Sequence, residues 1–192
     1  MQLIFATNNQ NKANEIRSVL PQSFSILTLK EAGIDIDIPE PHNTLEQNAA
    51  EKALTIYRLT NINCFSEDTG LEVDALNGEP GVHSARYAGA EKEFEKNIEK
   101  LLMKLGAEEN RSARFRTVIC LVTEGKTVYF DGTCNGSITH QPKGKGGFGY
   151  DAIFIPHKAQ KTFAEMSMEE KNKYSHRRKA ADKLVKFLKN LV

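Results

Sequence analysis

The stretch "QLIFATNNQNKANEIRSVLPQSFSILTL", Gln2 to Leu29, sets the architecture. "QLIFA" is a short apolar run that reads as a buried strand, and "TNNQN" is a polar turn. Ala13, Ile16 and Leu20 then recur at helical spacing. Pro21 closes that helix, and "FSILTL" reads as a second strand. A loop holding Pro39 and Pro41 leads to "NTLEQNAAEKALTIYRLT", where Thr44 and Gln47 fit a capping box. Ala49, Ala53 and Ile56 give that helix its apolar stripe. Strand, helix, strand, helix predicts an α/β layer arrangement.

Further along, "EKEFEKNIEKLLMKLG" is an amphipathic helix built on Phe94, Ile98, Leu101 and Leu105, stopped at Gly106. Two β-rich runs flank Glu124-Gly125-Lys126 and predict an antiparallel hairpin. "QPKGKGGFGYD" is a glycine-rich loop and "AIFIP" another buried strand. The tail is helical in two pieces, the first capped by Ser167 with Glu170 and the second by Ser175. The second piece has Ala181, Leu184, Leu188 and Leu191 on its apolar face. With no repeat and no long linker, residues 1–192 are expected to form one domain, a mixed α/β unit with a long sheet.

The composition supports a packed core: 40% of the 192 residues are hydrophobic and 27% charged. A net charge of +1 gives no general attraction to nucleic acid or membrane, so any anion site must be local. Cys64, Cys120 and Cys134 are odd in number and lack metal-ligand spacing, which fits reduced thiols in a cytoplasm. No apolar run reaches membrane-spanning length, and a soluble intracellular protein is expected.

Four places could carry chemistry. In "ATNNQNKANE" a helix starts after a polar turn; its free amides suit a phosphate and Lys12 adds a charge, although an ordinary capped turn with a solvated lysine looks the same. "SEDTGLEVDALNGEPGVHSARYAG", Ser66 to Gly89, clusters Glu67, Asp68, Glu72 and Asp74 beyond an apparent strand through Asn63–Phe65. Acids gathered at a strand end repel unless a cation joins them, and Mg2+ needs only one or two carboxylates plus phosphate oxygens. Alternation turns Glu72 and Asp74 toward solvent, leaving Glu67 and Asp68 as the candidates. Arg86-Tyr87 reads as a packed pair rather than a phosphate contact. In "KGKGGFGYD" glycines permit close backbone approach, and Phe148 and Tyr150 offer flat faces for a base, though a hairpin connection would look similar. "EEKNKYSHRRKA" places His176 and Arg177 at a helix start; the competing reading is a solvated basic face.

Together, "FATNNQNKANE", the Ser66–Gly89 stretch, "GKGGFGYDAIF" and "FAEMSMEEKNKYSHR" resemble the inosine triphosphate pyrophosphatase family, in the right order over nearly the whole chain. The resemblance implies an elongated, two-lobed α/β fold with a long central mixed sheet flanked by helices, and a homodimer. It implies hydrolysis of ITP, dITP and XTP to the monophosphate and pyrophosphate with Mg2+, clearing the nucleotide pool of non-standard purines. By position, Thr7, Asn8, Asn9, Gln10, Asn11 and Lys12 would contact the triphosphate. Asp68 would be proton acceptor and metal ligand, with Lys12 assisting catalysis and Glu40 as second metal ligand. Thr69, Phe148, Gly149, Tyr150, Asp151, Lys171, His176 and Arg177 would touch substrate.

This chain departs from the family pattern at three points: Asn8-Asn9 for Gly-Asn, Glu67 for Asp, and "EPHNTLEQNA" without Glu-Thr-Gly. Competing readings are a Maf-like pyrophosphatase for other modified nucleotides, a nucleic-acid-binding module, and a nucleotide sensor without turnover. The resemblance implies a small-molecule nucleotide partner and neither nucleic acid nor membrane.

Overall fold

The computed structural model describes residues 2–89, 91 and 93–190. The strands are β1 (Gln2–Phe5), β2 (Ser25–Thr28), β3 (Cys64–Val73), β4 (Pro80–Gly81), β5 (Ser112–Thr123), β6 (Lys126–Ile138) and β7 (Phe154–Pro156). The helices are α1 (Gln10–Arg17), α2 (Leu45–Thr60), α3 (Phe94–Leu105), α4 (Met168–Asn172) and α5 (His176–Lys189). The strands form one mixed sheet in the order β2-β1-β3-β5-β6-β7, with β4 paired to β3. β1 runs parallel to β2 and β3, whereas β3–β4 and β6–β7 are antiparallel.

The chain divides into two compact units. Unit 1 takes the chain up to Asp68, Thr117–Gly132 and the chain from Arg177 on; unit 2 takes Thr69–Arg116 and Thr133–His176.

Unit 1 buries its part of the sheet on both faces, as parallel strands require. Phe5, Phe65, Ile119 and Leu121 pack with Ile16 of α1 and Leu184 of α5. Ile4, Cys64, Cys120 and Val122 pack with Ala49, Ala53 and Ile56 of α2. Alternate residues of each strand thus serve opposite cores. β3 shows the rule most clearly. The Cys64 thiol donates to the Ala53 carbonyl and the Ser66 hydroxyl to the Ala49 carbonyl, both on α2. Phe65 points the other way and stacks on Phe5, centroids 4.5 Å apart. α2 starts where the expected cap lies, with Thr44 Oγ1 accepting from Gln47 N at 3.2 Å. It ends at Asn61, a left-handed residue with φ 52°.

In unit 2, Leu71 and Val73 of β3 pack with Ile98, Leu101 and Leu105 of α3 and with Phe115, Phe154 and Phe163. α3 stops at Gly106, φ 47°, at the expected residue. The expected Ser167–Glu170 capping box opens α4.

Three expectations need correction. β3 does not end near Phe65 but continues to Val73, so Glu67 and Asp68 are mid-strand and buried. The strand runs on through the two acids because both find buried cationic partners. "AIFIP" is a strand only from Phe154. Residues 151–153 form a 3-10 turn because Asp151 folds back, its Oδ2 accepting from Phe148 N at 2.9 Å. The first helix ends at Arg17, with Ser18 as its cap, so Leu20 lies outside it and Pro21 does not close it. Leu191, expected on the last apolar face, lies outside the described residues.

Candidate active site

The strand alternation that sorts the core also sorts the acids. Following Ser66, Asp68 turns toward α2; following Phe65, Glu67 turns toward α1 and α5.

Glu67 is held by cations on both sides. Arg177 Nε donates to Oε2 at 2.6 Å and Nη2 to Oε1 at 3.0 Å, a two-pronged match of fork to carboxylate. Lys12 Nζ lies 3.0 Å from Oε1. Arg177 Nη1 also donates to Glu15 of α1. Glu67 and Arg177 are each only 2% exposed. Burial opposes charge on both, but their attraction wins, holding the Glu67 carboxyl well below its ordinary range and the Arg177 guanidinium above its own. Arg177, expected to touch substrate, thus has Nε, Nη1 and Nη2 each directed at a carboxylate.

Asp68 meets a different set. Asn48 Nδ2 donates to its Oδ2 at 3.4 Å, and Lys52 Nζ lies 3.5 Å from its Oδ1. Lys52 also binds Glu40, so one ammonium serves two carboxylates. Burial pushes the Asp68 carboxyl up; Lys52 and Lys12 pull it down, and Glu40 adds to the rise. For Lys52, burial acts against the charge, but Asp68 and Glu40 outweigh it and hold it protonated. A carboxyl whose hold on a proton is strengthened by burial, beside a fixed cation, suits proton transfer. Asn48 and Lys52 were not singled out in the sequence. Their signal was polar side chains four residues apart on the buried face otherwise formed by Ala49, Ala53 and Ile56.

The turn at Thr7–Lys12 is more ordered than a free phosphate cradle. Asn9 Oδ1 accepts from Asn11 N at 3.0 Å and from Lys12 N at 3.2 Å, and Thr7 Oγ1 accepts from Asn9 N at 3.1 Å. Two of the amides expected to meet an anion are therefore capped by Asn9. Asn8, Gln10 and Asn11 are exposed, and the half-buried Lys12 supplies the charge.

Unit 2 holds the other expected residues. Lys171 Nζ lies 2.5 Å from Asp151 Oδ2 and sits 5.2 Å from the centre of the Phe148 ring. Phe148 is half-buried, whereas Tyr150 is buried with its hydroxyl donating to the Ser84 carbonyl at 2.9 Å. Tyr150, expected to offer a face to a base, is a core residue. His176 is also buried, stacked on Phe115 at 4.7 Å and 12°. Thr69 is half-buried on β3. A cavity of about 480 Å³ lies between α3 and the glycine-rich loop, lined by Phe94, Ile98, Lys145, Phe148 and Gly149 among others. Gly144 is needed where it is: its φ is +84°, and an added Cβ would come within 2.5 Å of the Ala164 backbone. Tyr87 is packed, its hydroxyl donating to Glu79 at 2.7 Å and its ring facing the Lys100 ammonium.

Among the described residues no cluster of three or more metal-ligating side chains forms. A two-carboxylate set remains. Glu67 is taken by Arg177, but Asp68 and Glu40 already share one cationic group, Lys52, and a hard divalent ion asks for such oxygens.

An α/β sheet that turns two neighbouring acids to opposite faces, one paired with an arginine and the other beside a lysine, is the candidate site of this chain. The chain belongs to the Ham1 family, whose profile matches residues 3–187. It is 50% identical over 188 residues to a dITP/XTP pyrophosphatase of Flavobacterium johnsoniae, covering 98% of each chain. The solved Staphylococcus aureus Ham1 protein matches at 41% identity and TM-score 0.90 over 100% of both chains. A HAM1 protein from Coxiella burnetii matches at 34% identity and TM-score 0.90 over 99% of both. The sequence-based family assignment and the α/β mixed-sheet fold stand.

Proposed function

We propose that the protein hydrolyses non-standard purine nucleoside triphosphates, dITP, ITP and XTP, to the nucleoside monophosphate and pyrophosphate. The observation that carries this is Asp68, buried mid-strand and raised in pKa between Asn48 and Lys52, in a chain so similar to dITP/XTP pyrophosphatases. Ham1 membership disfavours the Maf-like alternative.

Asp68, held by Asn48 at Oδ2 and by the Lys52 ammonium at Oδ1, keeps a further lone pair on each oxygen and takes the proton of a water. The water oxygen bonds to the α-phosphorus as the α–β bridging P–O bond breaks, and pyrophosphate leaves with that bond's electron pair. Lys12 and Lys52 offset charge on the phosphate oxygens, and preorganised charge of this kind supplies most of the rate in such sites. Glu67 holds Lys12 from beneath, and Arg177 fixes Glu67. Asp68 and Glu40 would hold Mg2+, which would neutralise the triphosphate and acidify a bound water. Phe148 and Lys171 offer a flat face and a donor suited to a base with an oxygen acceptor such as the one at C6 of hypoxanthine or xanthine. That oxygen, absent from adenine, is the basis of selection. The same reading carries a homodimer and a cytoplasmic location, testable by light scattering and by fractionation. Among the described residues no helix is long and apolar enough to cross a membrane.

The test is purified protein with Mg2+ and dITP, ITP, XTP, GTP and ATP, both products identified. Monophosphate and pyrophosphate from the first three, at far higher kcat/KM than from ATP, is the expected result. Orthophosphate release, or equal efficiency on all five, defeats the reading.

A further inference from the structure

We propose that Asn48 is a positioning residue, fixing in one place the Asp68 carboxylate and the segment that carries Glu40. Asn48 is fully buried on α2, and both ends of its amide are used. Oδ1 accepts from His42 N at 3.0 Å, and Nδ2 donates to His42 O at 3.0 Å and to Asp68 Oδ2 at 3.4 Å. A single side chain thus satisfies both backbone groups of His42 while holding the acid on β3.

The segment pinned this way is stiff. Glu40 lies between Pro39 and Pro41, so its neighbours have φ fixed and its own backbone is confined to extended conformations. Its carboxylate meets Lys52, which is one helical turn beyond Asn48 on the same face of α2. Asn48 and Lys52 therefore reach Asp68 from successive turns, one at each oxygen. Lys52 supplies charge; Asn48 supplies direction. Only an amide can do this. Aspartate lacks the donors for His42 O and Asp68, and alanine leaves three groups without their partner.

The role rests on the reading of Asp68 as the proton acceptor, and the experiment separates the two. Steady-state ITP hydrolysis with Mg2+ is measured for wild type, Asn48→Ala, Asn48→Asp, Asp68→Asn and Asn48→Ala/Asp68→Asn, with thermal melts of each. The expected result is a fall in kcat of about 100-fold for either Asn48 variant, the loss typical of a reacting group misplaced by about 1 Å. KM should stay within about threefold, since Asn48 orients the acceptor and does not bind phosphate. In the double variant kcat should be no more than about threefold below Asp68→Asn alone, because the group Asn48 orients is already gone. A purely structural role would add its full loss on that background, and additive losses overturn the proposal. So does a wild-type kcat in Asn48→Asp, which keeps the bond from His42 N and the side-chain shape if Asn48→Ala folds poorly. Loss in Asp68→Asn with normal turnover in both Asn48 variants removes only the positioning role. Normal turnover in Asp68→Asn removes both.

Discussion

Replacing Glu67 by glutamine tests the division of labour on β3. In the wild type both Glu67 oxygens meet Arg177 and one meets Lys12. Glutamine keeps the shape, loses the charge and turns an NH2 group toward a guanidinium. Breaking a buried pair from one side costs about 3–5 kcal/mol. The low end, about 3 kcal/mol, applies here because Arg177 keeps Glu15 and Lys12 can turn to water. For a chain of 192 residues that is a fall in Tm of roughly 6–12 °C. The pH dependence has a definite sign. The folded pKa of Glu67 is depressed, so its stabilisation is present above the unfolded value of about 4.3 and is lost as pH falls toward the folded value. Between pH 7 and pH 3.5 the gap between wild type and Glu67→Gln should therefore shrink by about 1 kcal/mol. Glu67→Asp retracts the carboxylate by about 1.5 Å, one C–C bond. It should lose one charged hydrogen bond, about 1.5–3 kcal/mol. Urea curves at both pH values, with unchanged slope, give the differences. A Glu67→Gln penalty below about 1 kcal/mol at pH 7, or a gap that widens on acidification, would refute the buried-pair argument.

Three further outcomes follow. Cys64 and Cys120 are buried and their thiols pushed up to about 12 and about 11, so neither should react with a disulfide reagent at pH 7 until the chain is unfolded; rapid native labelling of either would contradict their burial. Gly70→Ala places a Cβ within 2.6 Å of the Gly81 carbonyl oxygen and should lower stability by about 1–3 kcal/mol through forced separation of β3 and β4, read by thermal melt. Chelation should abolish turnover and added Mg2+ restore it without any change in the circular dichroism spectrum, since the Asp68–Lys52–Glu40 group closes on its own ammonium.

Local chemistry was legible in the sequence, and distant pairing was not. The Thr44 cap, the Gly106 stop, the Ser167–Glu170 box and the Glu124-Gly125 turn, both residues at positive φ, each depend on a few neighbouring residues. The course of β3 was misread because two adjacent acids argue for solvent unless their cations are known. The cation for Glu67 lies 110 residues away. Asp151 and Lys171 hid a pair for the same reason, 20 residues apart. Of the site, the acid at position 68 could be chosen from its motif, but Asn48 and Lys52 needed the helix to be laid on the strand. The capped-turn reading of the first turn was legible too, and Asn9 supplies the cap.

Because adjacent positions on one ribbon face opposite ways, Glu67 and Asp68 cannot vary as a unit. A deletion of a single residue from Cys64–Ser66 would turn each acid to the opposite face, Asp68 into the place of Glu67 and Glu67 into that of Ser66. Aspartate would fall short of the guanidinium while glutamate lay against the Ala49 carbonyl, so fold integrity and turnover would fail together. The phase of β3, more than the identity of either acid, is what both faces of the ribbon depend on.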